Sequence, residues 1–149
     1  MKTTTTWFVV ADGGRAHVLV NIGPGKDLYP IPEKALTHPM LAGRDIMSDR
    51  PGRTFDSVGR GRHHKEPRTD PRKVEKRNFA QKIATLLDDG LNQGEFERLV
   101  IVAPPEELGL IRAELSPAVS RRVSAELNKD LAGLSQSEIM SRLSKFHLI

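Results

Sequence analysis

The sequence predicts an α/β protein: a mixed β-sheet with helices in the order β-β-β-α-β-α-β-α, and a long basic loop between the third strand and the first helix. Three observations predict it. Two short apolar runs, residues 7–11 (WFVVA) and 99–103 (LVIVA), read as strands buried on both faces. Strand-like sequence follows the first run at once, whereas helix-like periodicity flanks the second. Between the two halves, residues 48–72 hold only two large apolar residues, Phe55 and Val58, too few for a core element.

Each element has a local reason. After residues 7–11, Asp12-Gly13-Gly14 suits a tight hairpin turn with positive φ, and residues 15–22 (RAHVLVNI) read as the returning strand. Gly23-Pro24-Gly25 stops it. Leu28, Ile31, Ala35 and Leu36 point to a third strand within residues 28–38, interrupted by Pro30 and Pro32, as an edge or a bulge permits. Asp70 is placed to cap the first helix, with Pro71 at its first position. Phe79, Ile83, Leu86, Leu87 and Leu91 then form one apolar stripe, and Gln93-Gly94 ends it.

After the strand at 99–103, Pro105 opens a second helix with Glu106 and Glu107 against its positive end, and Leu108, Ile111 and Leu115 on its buried face. Ser116-Pro117 reads as a break, and residues 118–122 as a short helical turn. Residues 123–127 (VSAEL) alternate, as in a strand with one wet face. Ser135 and Glu138 make a capping box for the last helix, Leu134 staples onto Ile139, and Ile139, Leu143 and Phe146 continue its stripe.

At 149 residues the chain is expected to form a single domain, residues 1–149, with a core that needs no staples. It has no cysteine, hence no disulfide, thiolate metal site or cysteine nucleophile. The run at 7–11 is shorter than the roughly 7–15 residues of a signal-peptide core, and no apolar run nears the ~18–20 residues of a membrane span. The expectation is a cytosolic protein without a membrane partner. Nothing in the sequence sets an oligomeric state, and no motif implies a cofactor.

Charge is unevenly placed. The formal net charge is +4, but residues 43–77 hold eleven Lys/Arg against six Asp/Glu, leaving twelve against thirteen elsewhere. The whole positive excess therefore lies in the loop and the start of the helix after it. That is the electrostatic footprint of a phosphate-rich partner, although a solvated polar loop has the same composition. Within it, Gly59-Arg60-Gly61-Arg62 combines close backbone approach with guanidinium forks for phosphate oxygens. Arg50, Arg53, His63, Lys65 and Arg68 extend the set. Aromatic residues for base stacking are nearly absent, so contacts to RNA are expected at backbone and shape. Residues 48–68 are expected to be mobile without a partner.

Other chemistry has bland competitors. Asp12, at a strand end, with Glu126 and Asp130, is the candidate set for a metal-dependent nuclease or hydrolase, but service to the Asp-Gly turn is the expected role of Asp12. His63-His64 with Glu66 lacks a metal-ligand spacing and reads as loop histidines, so no metal is assigned. There is no Walker loop, nucleophile elbow or dinucleotide fingerprint, and Ser57 beside Asp56 has no triad partner.

The residues that carry a family resemblance are Trp7-Phe8-Val9-Val10-Ala11-Asp12-Gly13-Gly14-Arg15-Ala16, Asp49-Arg50-Pro51-Gly52-Arg53-Thr54-Phe55-Asp56-Ser57, Gly61-Arg62-His63 with Glu66-Pro67, Val102-Ala103-Pro104-Pro105 with Leu108-Gly109, and Lys129-Asp130-Leu131. Over nearly its whole length the chain resembles the bacterial host attachment proteins. That family is similar to the central domain of archaeal and eukaryotic peptide release factors and of the rescue factor Pelota. The resemblance implies an RNase H-like fold and a working loop that enters a ribosomal site. Release factors carry Gly-Gly-Gln there. Here the only Gly-Gly is Gly13-Gly14, followed by Arg15, and the long loop carries Gly59-Arg60-Gly61-Arg62-His63 instead. The departure argues against peptidyl-tRNA hydrolysis and leaves binding to the ribosome or a structured RNA as the expected function, without catalysis. The alternatives are the nuclease or hydrolase above and an accessory protein for attachment to host cells.

Overall fold

The computed structural model describes residues 4–24, 26–38 and 71–146. Among these residues it is an α/β fold with one mixed sheet of six strands and four α-helices. Strand β1 (Thr6–Ala11) is buried at every position, as its continuous apolar run requires. It pairs antiparallel with β2 (Arg15–Asn21), Val9 opposite Val18.

The expected third strand is two strands. β3 (Leu28–Pro30) and β4 (Leu36–Thr37) pair with opposite ends of β2, and a 3₁₀ turn, Pro32–Lys34, separates them. Pro30 and Pro32 have no N–H to donate, so the ladder cannot run on through them.

Helix α1 (Pro71–Asn92) starts at the proline that the sequence places there, while its expected cap, Asp70, lies outside the described residues. It ends in a Schellman motif: Gly94 at φ +71° donates to the Leu91 carbonyl (3.0 Å) and Glu95 to the Gly90 carbonyl (2.8 Å). Strand β5 (Arg98–Ala103) lies parallel to β1 on the side away from β2. Helix α2 (Pro105–Glu114) follows. Ser116-Pro117 does more than break it: the Ser116 hydroxyl accepts from the Val119 amide (3.2 Å) and Pro117 opens the short helix α3 (Pro117–Ser120). Strand β6 (Val123–Asn128) is parallel to β5, with a bulge opposite Leu99 and Val100. Helix α4 (Gln136–Ser144) is capped by Ser135, whose hydroxyl accepts from the Glu138 amide (3.2 Å). The strand order is β3-β2-β1-β5-β6, with β4 extending the β3 edge.

The sheet separates two apolar clusters. On one face Trp7, Val9, Leu99 and Ile101 pack against Phe79, Ile83 and Leu87 of α1 and Ile111 of α2. On the other, Phe8, Val10, Val100 and Val102 pack against Ile139 and Leu143 of α4. The bulge in β6 explains why Val123 serves the first cluster while Ala125 and Leu127 serve the second. Phe146 departs from expectation. Helix α4 stops at Ser144, so the Phe146 ring leaves the stripe, stays 37% exposed and lies under the Lys129 ammonium at 5.8 Å.

Candidate functional site

Ligands of open α/β sheets collect at the carboxyl ends of the parallel strands. Here that end is built from the β1–β2 turn, the start of α1 and the start of α2. Asp12 Oδ1 accepts from the amides of Gly14 (2.9 Å) and Arg15 (2.8 Å), and Oδ2 from Arg15 Nε (3.2 Å). The carboxylate therefore makes the turn itself. Neither Gly13 nor Gly14 takes the positive φ that the sequence led us to expect. Gly13 is small for another reason: a Cβ there would lie 3.3 Å from Glu107 Oε2 and 3.5 Å from Lys76 Cε.

Lys76 is the centre of this end. Its ammonium donates to Glu106 Oε1 (3.1 Å) and pairs with Glu107 Oε2 (3.3 Å). Burial alone pushes its pKa down, but the two glutamates outweigh that and raise it, so Lys76 is a fixed cation. The crevice between Asp12, Gly13, Lys76 and Glu107 has a volume of about 10 Å³, room for a water at most.

Beside it, His38 and Glu75 join the two sides of the 39–70 segment. His38 Nε2 lies 2.8 Å from Glu75 Oε1, and its amide donates to the Gly14 carbonyl at 2.8 Å. The ring stands edge-on to Phe79, with Nδ1 buried and without a hydrogen-bond partner among the described residues. An open groove of about 630 Å³ runs from His38 and Glu75 along α1 past Asn78, Gln81 and Lys82. On the other flank, His17 Nε2 is 2.9 Å from the Ala132 carbonyl oxygen, tying β2 to the turn before α4.

The expected residues fare unequally. Arg50, Arg53, Gly59, Arg60, Gly61, Arg62, His63, Lys65 and Arg68, with His64 and Glu66, lie outside the described residues, as does the expectation of mobility at 48–68. The three candidate carboxylates are not brought together. Asp12 follows β1, Glu126 is on β6 beyond β5, and Asp130 is exposed after β6. Glu126 is held by the Arg112 guanidinium, Nε to Oε2 at 3.2 Å, and that hydrogen-bonded pairing lowers its pKa. Among the described residues no group of three or more His, Asp or Glu could hold a metal ion.

Sequence reasoning missed Lys76, His38 and Glu75. Lys76 was detectable, because it precedes Phe79 and Ile83 by three and seven residues and so sits on the buried stripe of α1. Glu106 and Glu107 were recognised only as partners of the helix dipole.

The arrangement is an α/β domain whose strand-end charges are paired with one another. The chain matches the family described as "Protein required for attachment to host cells" over residues 7–143, and it belongs to that family. It is also similar to an uncharacterised protein of Rickettsia prowazekii (strain Madrid E), 32% identical over 68 residues. That match covers 44% of this chain and 45% of the relative, so the chain aligns with less than half of the relative's length. No helix among the described residues is long and apolar enough to cross a membrane.

Proposed function

We propose that this protein is an accessory factor for attachment to host cells and acts as a binding domain. The observation that carries the reading is the family match over residues 7–143. A cytosolic site of action is part of the proposal, as is folding of residues 1–149 as one domain around the shared sheet. Disrupting the coding sequence in its own bacterium should lower the number of cells adhering to host monolayers, and a plasmid copy should restore it. Unchanged adhesion overturns the reading. Recovery of the protein from the culture medium instead of the cytosol replaces an indirect role with direct contact.

A second reading is a ribosome- or RNA-binding domain of the release-factor type on an RNase H-like fold. Two observations support it: the positive excess in residues 43–77, and a strand order of antiparallel strands followed by two parallel ones. Phosphate contacts weaken steeply as salt rises. Co-sedimentation with ribosomes at low salt, lost in Arg60→Ala/Arg62→Ala, is the expected result, and its absence at low salt removes this reading. The nuclease or hydrolase reading is the least supported, because its three carboxylates do not converge. RNA cleavage abolished by Asp12→Ala would revive it.

A further inference from the structure

We draw no further inference here: the strongest candidate, the open groove along α1 lined by His38, Glu75, Asn78, Gln81, Lys82 and Thr85, carries nothing, because nothing in the structure shows what covers it.

Discussion

Strand β1 ends in two unlike places. At its amino end it delivers Trp7 into an apolar vice: the Phe96 ring lies 4.8 Å away, Gly90 of α1 presses on the indole, and the Lys34 ammonium stands 5.8 Å above it. At its carboxyl end, five residues on, it delivers Asp12 into a set of paired charges around Arg15, Lys76 and Glu107. The apolar end depends on shape, and a single added atom has nowhere to go. The charged end depends on pairing, which solvent screens, so its parts can be exchanged at small cost. One end therefore holds the fold by shape, and the other holds its turn by charge pairs beside His38 and Glu75. If the comparison is right, substitutions at the two ends will separate into large and small losses of stability.

The largest stability effect belongs to Trp7→Ala, which removes a side chain only 1% exposed. Emptying such a site costs about 3–5 kcal/mol, read as a lower urea midpoint. Gly90→Ala attacks the same place by addition. Its Cβ would lie 2.6 Å from Trp7 Cη2, against a buried ring that cannot move away. Overpacking of that kind costs about 1–3 kcal/mol. The double variant with Trp7→Ala should lose less than the sum, because the ring that clashes is gone. Strict additivity would place the strain of Gly90→Ala elsewhere. Gly94→Ala meets no atom of the described residues within 4 Å, and its only strain is to hold an alanine at the left-handed φ of +71°. That costs about 1–2 kcal/mol, visible as a lower melting temperature with unchanged unfolding slope.

At the polar end the expected losses are smaller. Lys76→Met keeps the stem on the α1 stripe and removes the cation from Glu106 and Glu107. The cost should be about 1 kcal/mol or less, since the Glu106 partner is half exposed. A loss as large as that of Trp7→Ala would show that both ends of β1 are core. Because the folded pKa of Lys76 is raised above 10.5, its contribution is whole below pH 10.5 and fades as pH rises through the higher folded value. An alkaline melt of Lys76→Met against wild type checks the sign: the two should converge at high pH.

The same contrast governs what could be read from the sequence. The apolar end was legible because continuous runs and helical stripes are local patterns, and residues 7–11, 99–103 and the stripe from Phe79 to Leu91 carry them directly. The prolines near the third strand announced trouble, yet whether they bend a strand or divide it depends on how β2 is shared between β3 and β4. The charged end was mostly illegible. His38 and Glu75 are 37 residues apart and meet only once α1 packs beside β4. Asp12 was legible as a turn residue, and its carboxylate does organise the turn, but the amides of Gly14 and Arg15 that it accepts from were not. Pairings of this kind are set by tertiary geometry, which no local period encodes.

The smallest effect tests a charge pair away from both ends. Glu126 accepts hydrogen bonds from Arg112 across the face of β6, which lowers its pKa below the ordinary value of 4.5. A carboxylate with a depressed folded pKa adds stability that is present above its unfolded pKa. That stability is lost as pH falls through the folded value. The wild type should therefore lose a small increment of stability just below pH 4.5, and Glu126→Gln should lack that increment while matching the wild type at lower pH. The pair is exposed enough for salt to screen it, so the difference should shrink in high salt. A Glu126→Gln profile that runs parallel to wild type through this window would mean that Arg112 orders the side chain without contributing to folding. The contrast between shape-held and charge-held regions would then reach β6 as well.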